Sequence, residues 1–421
     1  MNTLLNINKF HYRRGGADIV YLEQSRLLRD LGWRVAEFSM HHPQNLDSEW
    51  SRYWVDEMDI DGDYSVVDRL VRAGRVVWSG QARNRLERLL DDVDVDVAHA
   101  HNIYHQLSPA ILPLLHGRGI PTVLTTHDLK LACPAYQMMT HDGVCERCKG
   151  GRIHQVVAQR CIKGSRAASA IIFAEAAAHR LMKTYERSVD RFVSPSRFYI
   201  DKFTEWGWDR ERFAHIPNHI APHEFTPADP SIDGAGEAFV YFGRLSPEKG
   251  VETMIRAAAR ADVPLWLVGT GADADRLRDV AVEVGADVEF CGYLTGAPLH
   301  DRIRRARVNV LASEWYENGP VSVLEAYALG TPLLGARIGG IPEFLRDGET
   351  GVSFESGSVD DLADAMGRLR DLPDDEIVEM GRAGRRWVEV DFTADRYIER
   401  LLGLYDELGV SISPVSAGGP T

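Results

Sequence analysis

Four groups of residues in the 421-residue chain have types and spacing suited to chemistry. Gly243-Arg244 follows the apolar run Phe239–Phe242, and Lys249-Gly250 closes the same loop before a helical stretch that begins near Val251. Glycine at a strand end lets a ligand approach the backbone. Two cations and the free N–H groups of a helix start favour an anion, so this corner suits a diphosphate; a solvated turn is the plainer alternative. A carboxylate pair comes next. Glu317 precedes Gly319-Pro320, a helix-start signal, with Val321 at the helix mouth and Glu325 on its second turn. Ionised carboxylates only accept hydrogen bonds, which suits vicinal sugar hydroxyls; taken alone, each also reads as a helix-end or surface charge. Arg13-Arg14-Gly15-Gly16 leads into a helix near Ile19–Leu31 and offers a second phosphate-friendly turn. Finally, His101 and His127 stand at the ends of two strand-like runs, where isolated histidines are more often structural than catalytic.

Other patterns compete for attention. Cys133, Cys145, Cys148 and Cys161 bracket one CxxC, with eleven residues before it and twelve after it. Four thiolates around such a turn suit tetrahedral zinc, so a structural zinc site is expected, with reduced thiols, disulfides or an iron–sulfur cluster as alternatives. His141 or His154 could replace one cysteine. Gly269-Thr270-Gly271 after Leu265–Val268 approximates a dinucleotide fingerprint, but follows the second strand of its domain and reads better as lining a nucleotide site. Asp59-Ile60-Asp61-Gly62-Asp63 resembles a calcium loop yet has Leu70 where a bidentate glutamate belongs.

These residues need elements to hold them. Short apolar runs such as Val35–Ser39, Val95–His99, Val123–Thr126, Arg191–Ser194 and Val308–Leu311 alternate with amphipathic stretches such as Gln81–Leu90 and Val251–Ala259. That alternation predicts an α/β chain of parallel sheets with crossover helices. The segment His215–Glu237, with four prolines and two glycines, separates two doubly wound domains whose strand ends face one cleft. Domain limits of 1–205 and 213–385 follow, with a disordered tail over 410–421. Composition is that of a globular protein, 44% hydrophobic and 26% charged. A net charge of −14 argues against generic nucleic-acid binding. No apolar run approaches the roughly 20 residues of a membrane span, and the first residues lack a secretory pattern, so a cytoplasmic location is expected. The stretch Ala167–Tyr185 could rest on a membrane surface, with core packing as the alternative.

Taken in order, Gly243-Arg244…Lys249-Gly250, Glu317, Glu325-Ala326…Gly330-Thr331-Pro332, Gly339-Gly340-Ile341-Pro342-Glu343 and Asp347-Gly348…Gly351 resemble the retaining glycosyltransferases of family 4, over residues of about 1 to 405. The resemblance implies the GT-B fold: two Rossmann-like domains facing a central cleft, with a C-terminal helix at about 388–407 crossing back to complete the first domain. It implies transfer of a hexose-type unit from a nucleoside diphosphate sugar to an acceptor hydroxyl of a glycan, glycolipid or small molecule, giving an α-glycoside with no catalytic metal. Arg244 and Lys249 would hold the diphosphate, Glu325 the ribose, and Glu317 and His127 the transferred sugar. Gly15, Gly16, Gly243, Gly269, Gly271, Gly319, Pro320 and Val321 would line the donor site, and His101 is a further candidate contact. An epimerase-like enzyme of the same fold and a non-catalytic sugar-nucleotide scaffold are the alternatives. Work on a lipid-linked acceptor would bring the protein to the inner face of the membrane. One departure stands out: after Ile216-Pro217-Asn218, His219 replaces the family's usual glycine.

Overall fold

A computed structural model describes residues 1–58, 66–140, 142–229 and 235–412. The aspartates at 59–63, His141 and residues 413–421 of the expected tail lie outside the described residues.

The N-terminal half contributes β1 (Thr3–Ile7), β2 (Arg34–Phe38), β3 (Val97–Ala100), β4 (Thr122–Thr125), a small hairpin of β5 (Met139–Thr140) and β6 (Gly143–Val144), then β7 (Arg191–Ser194) and β8 (Phe213–His215). Apart from the hairpin, they form one parallel sheet in the order β2-β1-β3-β4-β7-β8. Side chains alternate between faces, and both faces are apolar, as a parallel sheet covered on both sides requires. Leu5, Ile7, Ala98, Ala100, Leu124 and Phe192 enter one core. Their sequence neighbours Leu4, Val97, Val123 and Val193 enter another.

That second core is covered by the C-terminal helix Ala394–Glu407. Tyr397, Leu401, Leu404 and Tyr405 recur at helical spacing and pack against the first sheet. The imidazole of His219 lies 4.4 Å from the ring of Tyr397, so the residue that replaces glycine there packs against this returning helix. The chain thus crosses between the halves twice, and the crossings are joined where Ile220 N–H donates to the Phe392 carbonyl at 2.8 Å.

The second sheet holds β9 (Phe239–Phe242), β10 (Leu265–Val268), β11 (Val288–Gly292), β12 (Val308–Leu311), β13 (Leu333–Ala336) and β14 (Gly351–Phe354), all parallel, in the order β11-β10-β9-β12-β13-β14. In each sheet the strand order reverses beside the first strand: between β1 and β3, and between β9 and β12. Open parallel sheets leave a crevice at such a point, beyond the carboxyl ends of the strands. Residues 8–16 and 101–102 flank that crevice in the first sheet, and residues 243–250 and 312–318 flank it in the second.

Candidate active site

In the second domain, the loop after β9 and the loop after β12 meet. Lys249 Nζ donates to Glu317 Oε1 at 2.6 Å, and the Ser313 hydroxyl donates to the same oxygen at 2.6 Å. Burial pushes the Glu317 carboxyl up, but Lys249 and Ser313 outweigh it and hold it below its ordinary value. The Lys249 ammonium also sits 5.1 Å from the Trp315 ring. Gly250 is left-handed at φ 64°, and a Cβ there would overlap the Ala312 carbonyl; the glycine lets the cationic loop lie against the end of β12. Arg244 is engaged elsewhere in the same loop. It bonds Glu248 at 2.9 Å, and its side chain is 61% exposed. Glu325 lies on helix Val321–Ala328, half-buried, and burial alone raises its carboxyl to about 7.

In the first domain, Gly15 caps helix Gly16–Asp30, and a Cβ on Gly16 would meet nothing within 4 Å, so the turn leaves open space. The Asn8 side chain ties the ends of β1 and β3 together. Its amide donates to Asp18 Oδ1 at 2.8 Å, and its carbonyl accepts from Asn102 N at 3.1 Å. His101 Nδ1 lies 2.9 Å from His127 Nε2, and burial lowers His127 to about 3, aided by nearby Lys9. Asp128 is raised to about 6 by burial, against the pull of Lys130 and Lys9. Lys9, Asn8, Asp18 and Asp128 had no local motif to mark them. Their only signal was position, since each lies just beyond a strand end or in the first turn of the helix after β1.

One residue joins the halves at this point. The Asn318 side-chain amide donates to the Thr126 carbonyl at 2.7 Å, and its carbonyl accepts from the Ser196 hydroxyl at 2.8 Å. His127 and Glu317 are therefore each one residue away from a direct bond between the two sheets. Asn218 adds a bond to the Gly319 carbonyl at 2.7 Å.

Residues 14–224 match the family described as Glycosyltransferase Family 4, and residues 223–387 match Glycosyl transferases group 1. The chain belongs to glycosyltransferase family 4. A D-inositol 3-phosphate glycosyltransferase of Saccharomonospora viridis is 30% identical over 332 residues, 74% of this chain and 70% of that protein. A GDP-mannose-dependent phosphatidylinositol monomannoside mannosyltransferase of Corynebacterium glutamicum is 29% identical over 237 residues, where the match spans 51% of this chain and 62% of the relative. Among solved structures, sucrose-phosphate synthase of Thermosynechococcus elongatus superposes with a TM-score of 0.71 at 19% identity, over 97% of this chain and 99% of that one. Anabaena HepE in complex with UDP-glucose does so with a TM-score of 0.65 at 15% identity, over 97% and 100%. The two facing parallel-sheet domains are the GT-B fold.

Two features of this family-4 protein depart from, or add to, what its sequence leads one to expect. The structural zinc site is overturned. Among the described residues no group of three or more His, Cys, Asp or Glu side chains is placed to hold a metal, and all five cysteines are free. Cys133 and Cys148 instead form a buried thiol pair. The hydrogen bond from Cys148 lowers Cys133 to about 7, while Cys148, which keeps the proton, is raised. The loop is held by other means. Lys130 Nζ bonds Glu175 at 2.6 Å in the interior, and Glu146, inside the CxxC, accepts from Lys202 at 2.8 Å and from the Tyr316 hydroxyl at 3.0 Å. Tyr316 adjoins Glu317, so this loop abuts the carboxylate loop of the other domain. The glycines after β10 have a packing role of their own. A Cβ on Gly269 would overlap the Gly243 carbonyl, and one on Gly271 the Leu245 carbonyl, so both let that loop pack on the cationic one. No helix among the described residues is long and apolar enough to cross a membrane.

Proposed function

We propose that the protein transfers a sugar from a nucleoside diphosphate sugar to an acceptor hydroxyl with retention, giving an α-glycoside from an α-linked donor. The observation that carries this reading is the Asn318–Thr126 bond, which brings the Lys249–Glu317 pair of one sheet beside His127 of the other.

The leaving nucleoside diphosphate gains charge as the glycosidic bond breaks. Lys249, on a short loop pinned to β12, and Arg244, with its exposed head, are the cations that meet this charge. The open turn at Gly15-Gly16 adds backbone N–H groups from the opposite wall, and Gly243 and the Gly319–Val321 amides line the path. Glu317, kept ionised by Lys249, accepts from sugar hydroxyls. Glu325, half-buried on the helix and without an ion-pair partner among the described residues, accepts from the ribose. Gly269 and Gly271 act through the loop they shape. His127 meets the transferred sugar from the acceptor-side domain. Retention follows from front-side attack, in which a donor phosphate oxygen takes the acceptor proton. Relatives named for inositol phosphate and phosphatidylinositol mannoside favour a polyhydroxylated or lipid-linked acceptor. Such work would take place in the cytoplasm, at the membrane's inner face.

The test is incubation with a panel of nucleotide sugars and acceptors, following nucleoside diphosphate release and the anomeric configuration of the product. Turnover is expected to fall by about 100- to 1,000-fold in Lys249→Ala, the range seen when one charge-stabilising donor is removed. A folded wild-type protein that consumes no donor across the panel, or a β-linked product from an α-linked donor, would refute the reading.

A further inference from the structure

His127 does not stand alone at the end of β4. Its ring stacks on His101 with centroids 5.1 Å apart and 22° between planes, and His101 stacks in turn on His99 at 4.8 Å and 12°. His99 is fully accounted for: its Nδ1 meets the Tyr405 hydroxyl at 2.7 Å and its Nε2 the Thr125 hydroxyl at 2.7 Å. His101 is not. Its Nδ1 meets His127 Nε2 at 2.9 Å, but its Nε2 is buried with no partner among the described residues. The third ring near it, Tyr21 at 5.6 Å and 71°, has its hydroxyl committed to His11 at 2.9 Å.

Only one proton can sit between His101 Nδ1 and His127 Nε2, and both rings are neutral because burial disfavours their charged forms. If His127 supplied it, His101 would have to carry its own proton on Nε2, leaving a buried N–H with no acceptor. If His101 supplies it, only a lone pair is left unpaired. Orphaned N–H groups are the rarer outcome in folded proteins, and a neutral imidazole has one donor and one acceptor nitrogen. We infer that His101 is a positioning residue that donates from Nδ1 to His127 and so fixes His127 with its proton on Nδ1. The Nδ1 of His127 has no hydrogen bond among the described residues. His127 therefore meets a ligand as a hydrogen-bond donor only, suited to a sugar hydroxyl oxygen and unable to act as a base through that nitrogen. That last step rests on the proposed function; the tautomer does not.

Long-range proton–nitrogen correlation spectra of protein carrying nitrogen-15 histidine read the tautomer directly, with His127 identified by the signals lost in His127→Asn. The expected pattern is a protonated Nδ1 and a bare Nε2; a protonated Nε2 on His127 in the wild type overturns the inference. Two substitutions test control by His101. His101→Asp offers only an acceptor when ionised and is expected to move the His127 proton to Nε2, lowering kcat/KM for the donor by about tenfold, the loss of one hydrogen bond. His101→Asn keeps an N–H near the position of Nδ1, and is expected to keep the wild-type tautomer and most of the activity. If the aspartate variant moves the proton without changing kcat/KM, or the asparagine variant loses as much as it, the positioning role is refuted. Should the aspartate variant fail to fold, the wild-type spectrum and His101→Asn still decide. A protonated Nδ1 in a protein that consumes no nucleotide sugar would sink the proposed function and leave the tautomer assignment standing.

Discussion

Glu325 gives the most direct handle on donor binding. A carboxyl raised to about 7 by burial is mostly protonated at pH 6 and mostly ionised at pH 8. Only the ionised form accepts from two hydroxyls, and apparent affinity scales with the competent fraction, so donor Kd should tighten by about tenfold between those values. Calorimetric titration checks this, and Glu325→Gln should flatten the curve. The sign for folding is the reverse. The folded, ligand-free protein binds a proton that the unfolded chain has released, so the contribution of Glu325 to stability falls as pH rises from the ordinary carboxylate range to about 7. Glu325→Gln should therefore raise Tm more at pH 8 than at pH 5. Glu325, Glu317 and Lys249 could be singled out from the sequence because their motifs are contiguous and tied to a helix start. Lys9, Asp18 and Asp128 could not, because three separate strands must align before those residues become neighbours.

The segment from Asp128 to Cys161 depends on a different kind of support. Lys130 and Glu175 are both buried and bonded at 2.6 Å, with Lys130 also donating to the Pro134 carbonyl at 2.9 Å. Glu175→Gln leaves the ammonium without its counter-charge, and a loss of about 3 kcal/mol is expected in denaturant unfolding. Lys130→Met combined with Glu175→Leu should lose less than the single change, because no charge is then stranded. The spacing of the four cysteines was plain in the sequence, but convergence was not. Cys133 follows β4, Cys145 and Cys148 follow the hairpin, and Cys161 follows a one-turn helix, so whether their thiols are placed to hold a metal is set by tertiary packing that no spacing encodes. The same holds for Gly269 and Gly271. Their pattern resembles a phosphate turn, whereas the contacts they permit are between two backbones.

Closure of the two domains is held by individual polar bonds, and each can be weakened alone. Glu343 of the second domain accepts from Arg197 N at 2.8 Å and Phe198 N at 2.7 Å, capping helix Arg197–Glu205 of the first. Glu343→Ala should cost about 1 kcal/mol, as the loss of a helix cap does. It should also broaden the distance distribution between spin labels placed on the two domains, lowering turnover more than Tm. A change in Tm with an unaltered distribution would show that the contact does not govern closure. The alternation of elements made two α/β domains readable beforehand, while the returning helix was expected only from the family resemblance. The bonds through Asn318 and Glu343 were not readable, since single polar residues carry no periodicity. The paired crossings at Ile220 and Phe392 have a mechanical consequence. A body attached by one strand can swivel and pull away, whereas one attached by two strands stitched side by side can bend about their common line but resists torsion and stretching. The halves should then behave as a door on two pins. A single engineered cut in the first crossing should leave both fragments co-migrating on size exclusion, still joined by the second.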